Sequence, residues 1–270
     1  MKFLTDIGAN LTHSSFNKDL KVVIKDAKDA GVNCFIITGS SVDDSLTAFN
    51  LAKRLDGNFY ITAGVHPHNA KDYLPSSYEK LLKLTENKLV VAIGECGLDY
   101  FRNFSNKLEQ KDVFTMQIEL SIKKNLPLFL HQRDSFSDFF NILSSYQDQI
   151  PGGVAHCFTG GKEELFPLLD LGLYIGITGW LCDPKRGHLL REAIHTIPTD
   201  RLLIETDAPY LLPKDIKNKP KDRRNEPKYL IHILERISDM LKIDKEDLSN
   251  QIDKNTKALF QITNQSQSSI

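Results

Sequence analysis

The sequence predicts an α/β protein, a (β/α)8 TIM barrel in a single domain, and three observations lead there. Short apolar runs alternate along the chain with stretches whose apolar residues recur at helical spacing, giving eight strand-like segments in all. At 270 residues the chain matches the size of such a barrel, which typically takes about 250. No Gly-x-Gly-x-x-Gly follows the first apolar run, which disfavours an open dinucleotide-binding sheet.

In order, Phe3–Ile7 reads as the first strand and Leu20–Ala30 as a helix closed by Gly31. Asn33–Thr38 is the second strand, followed by a helix over Val42–Leu55. Phe59–His66 is the third, with a helix over Pro75–Glu86. Leu89–Glu95 is a continuous apolar run ending in a carboxylate, so it reads as a strand covered on both faces, and the long helix Glu109–Lys124 follows it. Asn125–His131 is the fifth strand. Behind it Asp134 is placed to cap a helix whose Phe136, Phe139, Phe140, Leu143 and Tyr146 form one apolar stripe. Gly153–His156, Leu173–Ile177 and Arg201–Asp207 complete the strands. The last pattern, Pro227–Leu241, puts Leu230, Ile233, Leu234, Ile237 and Leu241 on one face, with Asn225 as cap, and Lys245–Phe260 adds a closing helix. Nothing rich in Pro, Gly or Ser divides the chain, so residues 1–262 are expected to form one domain and the polar Thr263–Ile270 a flexible tail.

Composition narrows the function classes. With 41% hydrophobic and 26% charged residues the chain buries a large core and does not resemble a disordered protein. No apolar run reaches membrane-spanning length and Met1–Leu4 leads straight into Thr5, so a soluble, cytoplasmic protein with no membrane partner is expected. Cys34, Cys96, Cys157 and Cys182 are widely spaced, which indicates neither a thiolate zinc site nor a disulfide framework. A formal net charge of −1 argues against coating nucleic acid by bulk charge but leaves room for a local basic patch.

The strand ends carry the chemistry. Glu95, His131, His156 and Asp207 close the fourth, fifth, sixth and eighth strands, and His66 and His68 lie at the end of the third. In a barrel these ends meet on one face, where active sites sit. One strand-end histidine is usually a structural hydrogen-bonding residue, but two imidazoles and two carboxylates at one mouth point to a metal site. Alternation would put Glu205 and Asp207 on the same face, as it does Val91, Ile93 and Glu95. Imidazole and carboxylate ligands without thiolate suit Zn, Mn, Fe or, with water filling several positions, Mg. Such an ion lowers the pKa of bound water from about 15.7 to about 7, which makes hydrolysis the natural reaction. Around the mouth lie Arg133, Lys185, Arg186 and the run Lys214, Lys217, Lys219, Lys221, Arg223 and Arg224, interleaved with Tyr100, Phe101, Phe158, Trp180 and Tyr210. Cations and rings together suit an anionic substrate with unpaired bases. A small-molecule hydrolase on the same barrel, or a non-catalytic binding protein with a degenerate site, are the alternatives.

The segments Gly64–His68, Ile93–Asp99, Leu130–Asp134, His156–Gly160 and Glu205–Leu211, with Arg223–Pro227, jointly resemble the motif set of the TatD family of metal-dependent deoxyribonucleases, over nearly the whole chain. The resemblance implies a divalent cation, Mg ahead of Mn or Zn, and hydrolysis of DNA phosphodiesters, commonly as a three-prime to five-prime exonuclease on single-stranded DNA. It implies Glu95, His131 and His156 as metal ligands and Asp207 as a ligand or the residue that orients the nucleophilic water. His66 is then expected at the scissile phosphate, with Arg133, Arg223 and Arg224 on neighbouring phosphates. No partner protein is implied, and a monomer is expected. One departure has mechanistic weight: most of the family carry a His-x-His pair after the Asp of strand one, where this chain has Gly8 and Asn10. One subgroup of the family shares this Asp-Ile-Gly-x-Asn-Leu opening. Asn10 and Asp6 then remain as hard oxygen ligands, and one firmly held ion is expected, with a second that is weak or arrives with substrate.

Overall fold

A computed structural model of the protein describes residues 4–262; the expected tail, Thr263–Ile270, lies outside them. Eight strands, β1 (Leu4–Ala9), β2 (Val32–Ile37), β3 (Asn58–Ala63), β4 (Val90–Asp99), β5 (Leu128–Arg133), β6 (Gly153–Ala155), β7 (Tyr174–Ile177) and β8 (Leu202–Ile204), pair in parallel in sequence order. The seam between β8 and β1 is closed beyond the ladder. Asp207 N–H donates to Gly8 O at 2.8 Å and Asn10 N–H to Ala208 O at 2.8 Å. Asp6, fully buried, fastens the same seam by accepting from the Thr206 N–H at 2.9 Å and from the Thr206 hydroxyl.

Helices α1 (Leu20–Asp29), α2 (Val42–Arg54), α3 (Pro75–Leu84), α4 (Lys107–Lys124), α5 (Phe136–Ser144), α6 (Lys162–Asp170), α7 (His188–Ala193), α8 (Leu230–Leu241) and α9 (Lys245–Phe260) cover the sheet. Their apolar faces and the outward strand residues share one core, while Ile7, Ile36, Val91, Phe129, Val154 and Leu203 pack with Leu259 and Phe260 of α9 in a second cluster. Leu230, Ile233, Leu234 and Ile237 of α8 are buried, as their spacing predicts. None of the helices among the described residues is long and apolar enough to cross a membrane.

Helix α4 does more than cover the barrel. A reciprocal cap between Asn106 and Glu109 starts it, and Asn125 in the left-handed region ends it. Between them two buried glutamines, two helical turns apart, reach the mouth. Gln110 exchanges hydrogen bonds with the backbone of Asp99, and Gln117 does so with Val65, beside His66. The backbone of Asp99 and that just ahead of His66 are thereby fixed from behind.

Four local expectations are corrected. β4 runs on past Glu95 to Asp99, because Gly97, Leu98 and Asp99 continue the ladder with β5. Asp134 does not cap α5: it lies at φ 51°, and Ser135 occupies the cap position with its hydroxyl on Leu98 O at 3.0 Å. β8 stops at Ile204, and Asp207 follows in a left-handed turn at φ 55°, so Glu205 and Asp207 reach the mouth by a bend and not by strand alternation. Asn225 is not the cap of α8; its amide is buried and donates to Thr206 O at 2.8 Å, tying the preceding loop to the end of β8.

Candidate metal centre and nucleic-acid cleft

One oxygen of Glu95 is the meeting point of the mouth. His131 Nδ1 lies 2.9 Å from Glu95 Oε1, His156 Nε2 3.2 Å and His66 Nε2 3.4 Å. Ligand-type atoms of His66, Glu95 and His131 all fall within 4.8 Å of one another. Asp207 and Asn10 line the same cavity, of about 980 Å³, and the Asn10 amide donates to Asp207 Oδ1 at 2.9 Å. The structure therefore brings Glu95, His131, His156, Asp207 and His66 into one cleft.

Two supporting residues, Asp99 and Glu205, have no role in the sequence reading, and Asn10 and Asp6 take other roles than expected. Asp99 meets His68 Nε2 at 2.8 Å and His131 Nε2 at 3.4 Å. Its signal was legible: on an extended β4, residues 95, 97 and 99 share a face. Glu205 accepts from His156 Nδ1 at 2.8 Å and from the Cys157 N–H at 2.6 Å, which turns Nε2 of that ring toward Glu95. Asn10, expected to offer an oxygen, instead positions Asp207 through its nitrogen. Asp6, the other expected oxygen donor, is consumed by Thr206. Gly8 explains the departure at strand one, since a Cβ there would collide with Glu205 Oε2. The carboxylate that orients His156 occupies the room a residue-8 side chain would need.

Charge follows from this packing. Burial drives the Glu95 carboxyl upward, but the imidazoles of His66 and His156 outweigh it and hold it well below the usual carboxylate range. Burial opposes charge on His156 too, yet Glu205 and Glu95 on its two sides raise it well above the usual histidine value. His66 goes the other way: burial lowers it to about 4 against the pull of Glu95. Its Nδ1 accepts from the His68 N–H at 3.1 Å, so the neutral ring carries its proton on Nε2, facing Glu95. For Asp207 burial dominates and pushes the carboxyl up to about 7, partly offset by His156.

The rim sorts the remaining expectations. Arg133 lies over the Phe101 ring at 3.8 Å, Arg186 over Trp180 at 4.2 Å, and Phe104 is 4.8 Å from the His68 ring. Phe101 is 54% exposed and Tyr210 52%, so both rings are accessible. Phe158, expected at the rim, is core, and Tyr100 is turned aside, its hydroxyl on Asp138 at 2.7 Å. The two adjacent arginines part company. Arg223 lines a hollow next to the cleft, whereas Arg224, expected on substrate, is consumed by Asp19 at 2.6 Å, Glu226 at 2.8 Å and the Ser15 carbonyl.

An eight-stranded parallel barrel that gathers imidazoles and carboxylates at the carboxyl ends of its strands, inside a cation-rimmed cleft, is the frame of a hydrolase of the metal-dependent class. Comparison with known proteins makes the class specific. The family model described as TatD related DNase matches residues 5–261, and the chain belongs to that family. It is 46% identical over 257 residues to the 3'-5' ssDNA/RNA exonuclease TatD of Salmonella typhimurium, covering 95% of this chain and 98% of that protein. The protein so described from Escherichia coli strain K12 is 47% identical over 257 residues, with the same shares covered. Among solved structures, a hydrolase TatD family protein from Entamoeba histolytica superposes with a TM-score of 0.85 at 31% identity, covering 96% of this chain and 98% of that one.

Proposed function

We propose that this protein hydrolyses phosphodiester bonds of single-stranded nucleic acid, removing nucleotides from the three-prime end, with a divalent cation held at the mouth of the barrel. The observation that carries the reading is the convergence of three imidazoles on one Glu95 oxygen inside a cleft rimmed by cations and exposed rings. The donor set fits a divalent cation: ligand-type atoms of His66, Glu95 and His131 lie within 4.8 Å of one another, His156 Nε2 is 3.2 Å from Glu95 Oε1, and Asp99 and Glu205 back the rings. Glu95, His131, His156 and Asp207 are the residues that would hold it, with Mg ahead of Mn or Zn. When bound, the ion supplies Lewis-acid polarisation of the phosphate and a lowered pKa for water.

The chain's own groups do the rest. Asp207, fixed by Asn10, orients the attacking water and takes its proton. The His66 Nε2–H donates to the phosphate or to the leaving oxygen. A new bond forms between phosphorus and the water oxygen, the ester bond to one sugar breaks, and the departing oxygen takes its proton from solvent while His66 keeps its own and only hydrogen-bonds to it. Arg133 and Arg223 hold neighbouring phosphates, and the exposed rings receive unpaired bases. Arg224 takes no part in contacting substrate.

Metal titration and substrate comparison test the reading together. Wild-type protein is expected to bind about one divalent ion per chain with measurable heat, and the Glu95→Ala variant none. With that ion the wild type should degrade single-stranded DNA or RNA and leave a lactone and a nucleoside untouched. Turnover of the lactone or the nucleoside alone would replace the nuclease reading with a small-molecule hydrolase.

A further inference from the structure

Beside the catalytic cleft lies a second hollow of about 440 Å³, lined by Trp180, Asp183, Arg186, Lys214, Lys219 and Arg223 among others. Trp180, Arg186 and Leu211 line both spaces, so the hollow continues the cleft past the loop that follows β7. We propose that it is the path of the strand upstream of the scissile bond: the base of an upstream nucleotide stacks at Trp180 and Arg186, and its phosphate is held by Lys219 and Arg223. The proposal rests on the nuclease reading and adds to it a direction and a second binding site.

The chemistry of the hollow suits a nucleotide. Four cations face one carboxylate, Asp183, which leaves a surplus of positive charge for a phosphodiester backbone. Asp183 also arranges two of those cations, taking Arg186 Nε at 2.7 Å and Lys214 Nζ at 2.8 Å. The Arg186 guanidinium lies over the Trp180 indole at 4.2 Å, and indole and guanidinium planes are both surfaces on which unpaired bases stack. Arg223 is presented here by its neighbours. Arg224 is anchored to Asp19 and Glu226, its N–H is taken by Asp222, and Asn225 N–H binds Pro209 O at 3.0 Å. Arg223, at φ 56°, takes no part in that anchor and lines the hollow.

Topology sets the direction. An exonuclease working from the three-prime end must hold one nucleotide on one side of the scissile phosphate and the whole remaining strand on the other. The residues lining the cleft come from the segments after β3 and β4 (His68, Lys71, Arg102, Phe104) and from the segment after β7 (Trp180, Arg186), on opposite arcs of the barrel. The Trp180 side opens into a further cationic space, which is what a continuing strand needs. The terminal nucleotide then takes the side of His68 and Phe104.

The test uses the whole chain and oligothymidylates labelled at the five-prime end, a dinucleotide and a strand of about ten nucleotides, spanning the range of single-strand site sizes. Affinity is read by fluorescence anisotropy in EDTA and kcat/KM separately with Mg. Wild type should prefer the longer strand, and Trp180→Ala and Lys219→Ala should each cut the ratio of long-strand to dinucleotide affinity about tenfold, the order of one lost base stack or phosphate contact. Lys219 is exposed, so its variant carries no risk to the core. In wild type, an abasic site upstream of the scissile bond should weaken binding, and Trp180→Ala should erase that penalty while the penalty of an abasic three-prime terminus persists. Equal losses on both lengths, or no loss in either variant, overturn the path, as does wild-type binding that ignores length. Length-dependent binding that the variants abolish, in a protein that cleaves nothing with Mg, upholds the path and refutes the nuclease reading instead.

Discussion

From β3 to β6 the barrel mouth is made by strands and their immediate ends, and from β7 round to β1 it is made by loops. On the first side Glu95, Asp99 and His131 lie within strands, His156 directly follows one, and His66 is braced through Gln117 of α4. On the second side β7 and β8 are four and three residues long, and Trp180, Arg186, Lys214, Lys219 and Arg223 all project from the segments after them. The difference assigns the labour. On the proposed reading, most groups that must meet within fractions of an ångström sit on or just after the strands, Asp207 being the exception, held on its loop by Asn10, whereas the groups that would hold a flexible polymer sit on loops that tolerate adjustment.

Breaking the strand-borne side should have the largest effect. Glu95→Ala removes the oxygen on which three imidazoles converge, and divalent-ion binding by calorimetry and nuclease activity are expected to vanish together. Glu205→Gln acts one layer out: His156 loses a charged partner, and metal affinity or activity should fall about 10–100-fold, while the melting temperature moves little. Retained activity in Glu95→Ala with chelator present would remove the metal from the account.

On the loop-borne side the adjacent arginines sharpen the contrast. Arg224→Ala strips Asp19 and Glu226 of their common partner, only 15% exposed itself, and should cost about 1–3 kcal/mol of stability. The readout is thermal unfolding, with a drop of a few degrees. Arg223→Ala should leave the melting temperature in place, weaken oligonucleotide binding a few-fold, and reduce the slope of log affinity against log salt by about one contact. If the two variants exchanged these signatures, the division between anchor and contact would be wrong.

The barrel and the residues gathered at its mouth were legible because both leave marks in the chain: apolar runs at regular intervals, several of them ending in His, Glu or Asp. Glu95, His131, His156 and Asp207 were legible for that reason. What the sequence hid depended on backbone geometry that no local pattern encodes. Glu205 and Asp207 were expected together from alternation, yet β8 ends before both, and a left-handed residue brings Asp207 to the cleft. Arg223 and Arg224 look alike in the chain, and their surroundings separate through Asp19 and Ser15, some two hundred positions away, together with Glu226. The alternation that places Glu95 at the mouth places Asp99 there too, because β4 runs on across Gly97.

Digestion of a five-prime-labelled single-stranded oligonucleotide with Mg, with Mn and with EDTA decides whether this mouth cuts single strands from the three-prime end by a metal-dependent reaction. A ladder of labelled products shortening one nucleotide at a time is expected with either metal, and intact substrate in EDTA. Immediate release of the labelled nucleotide, or undiminished digestion in EDTA, would contradict it.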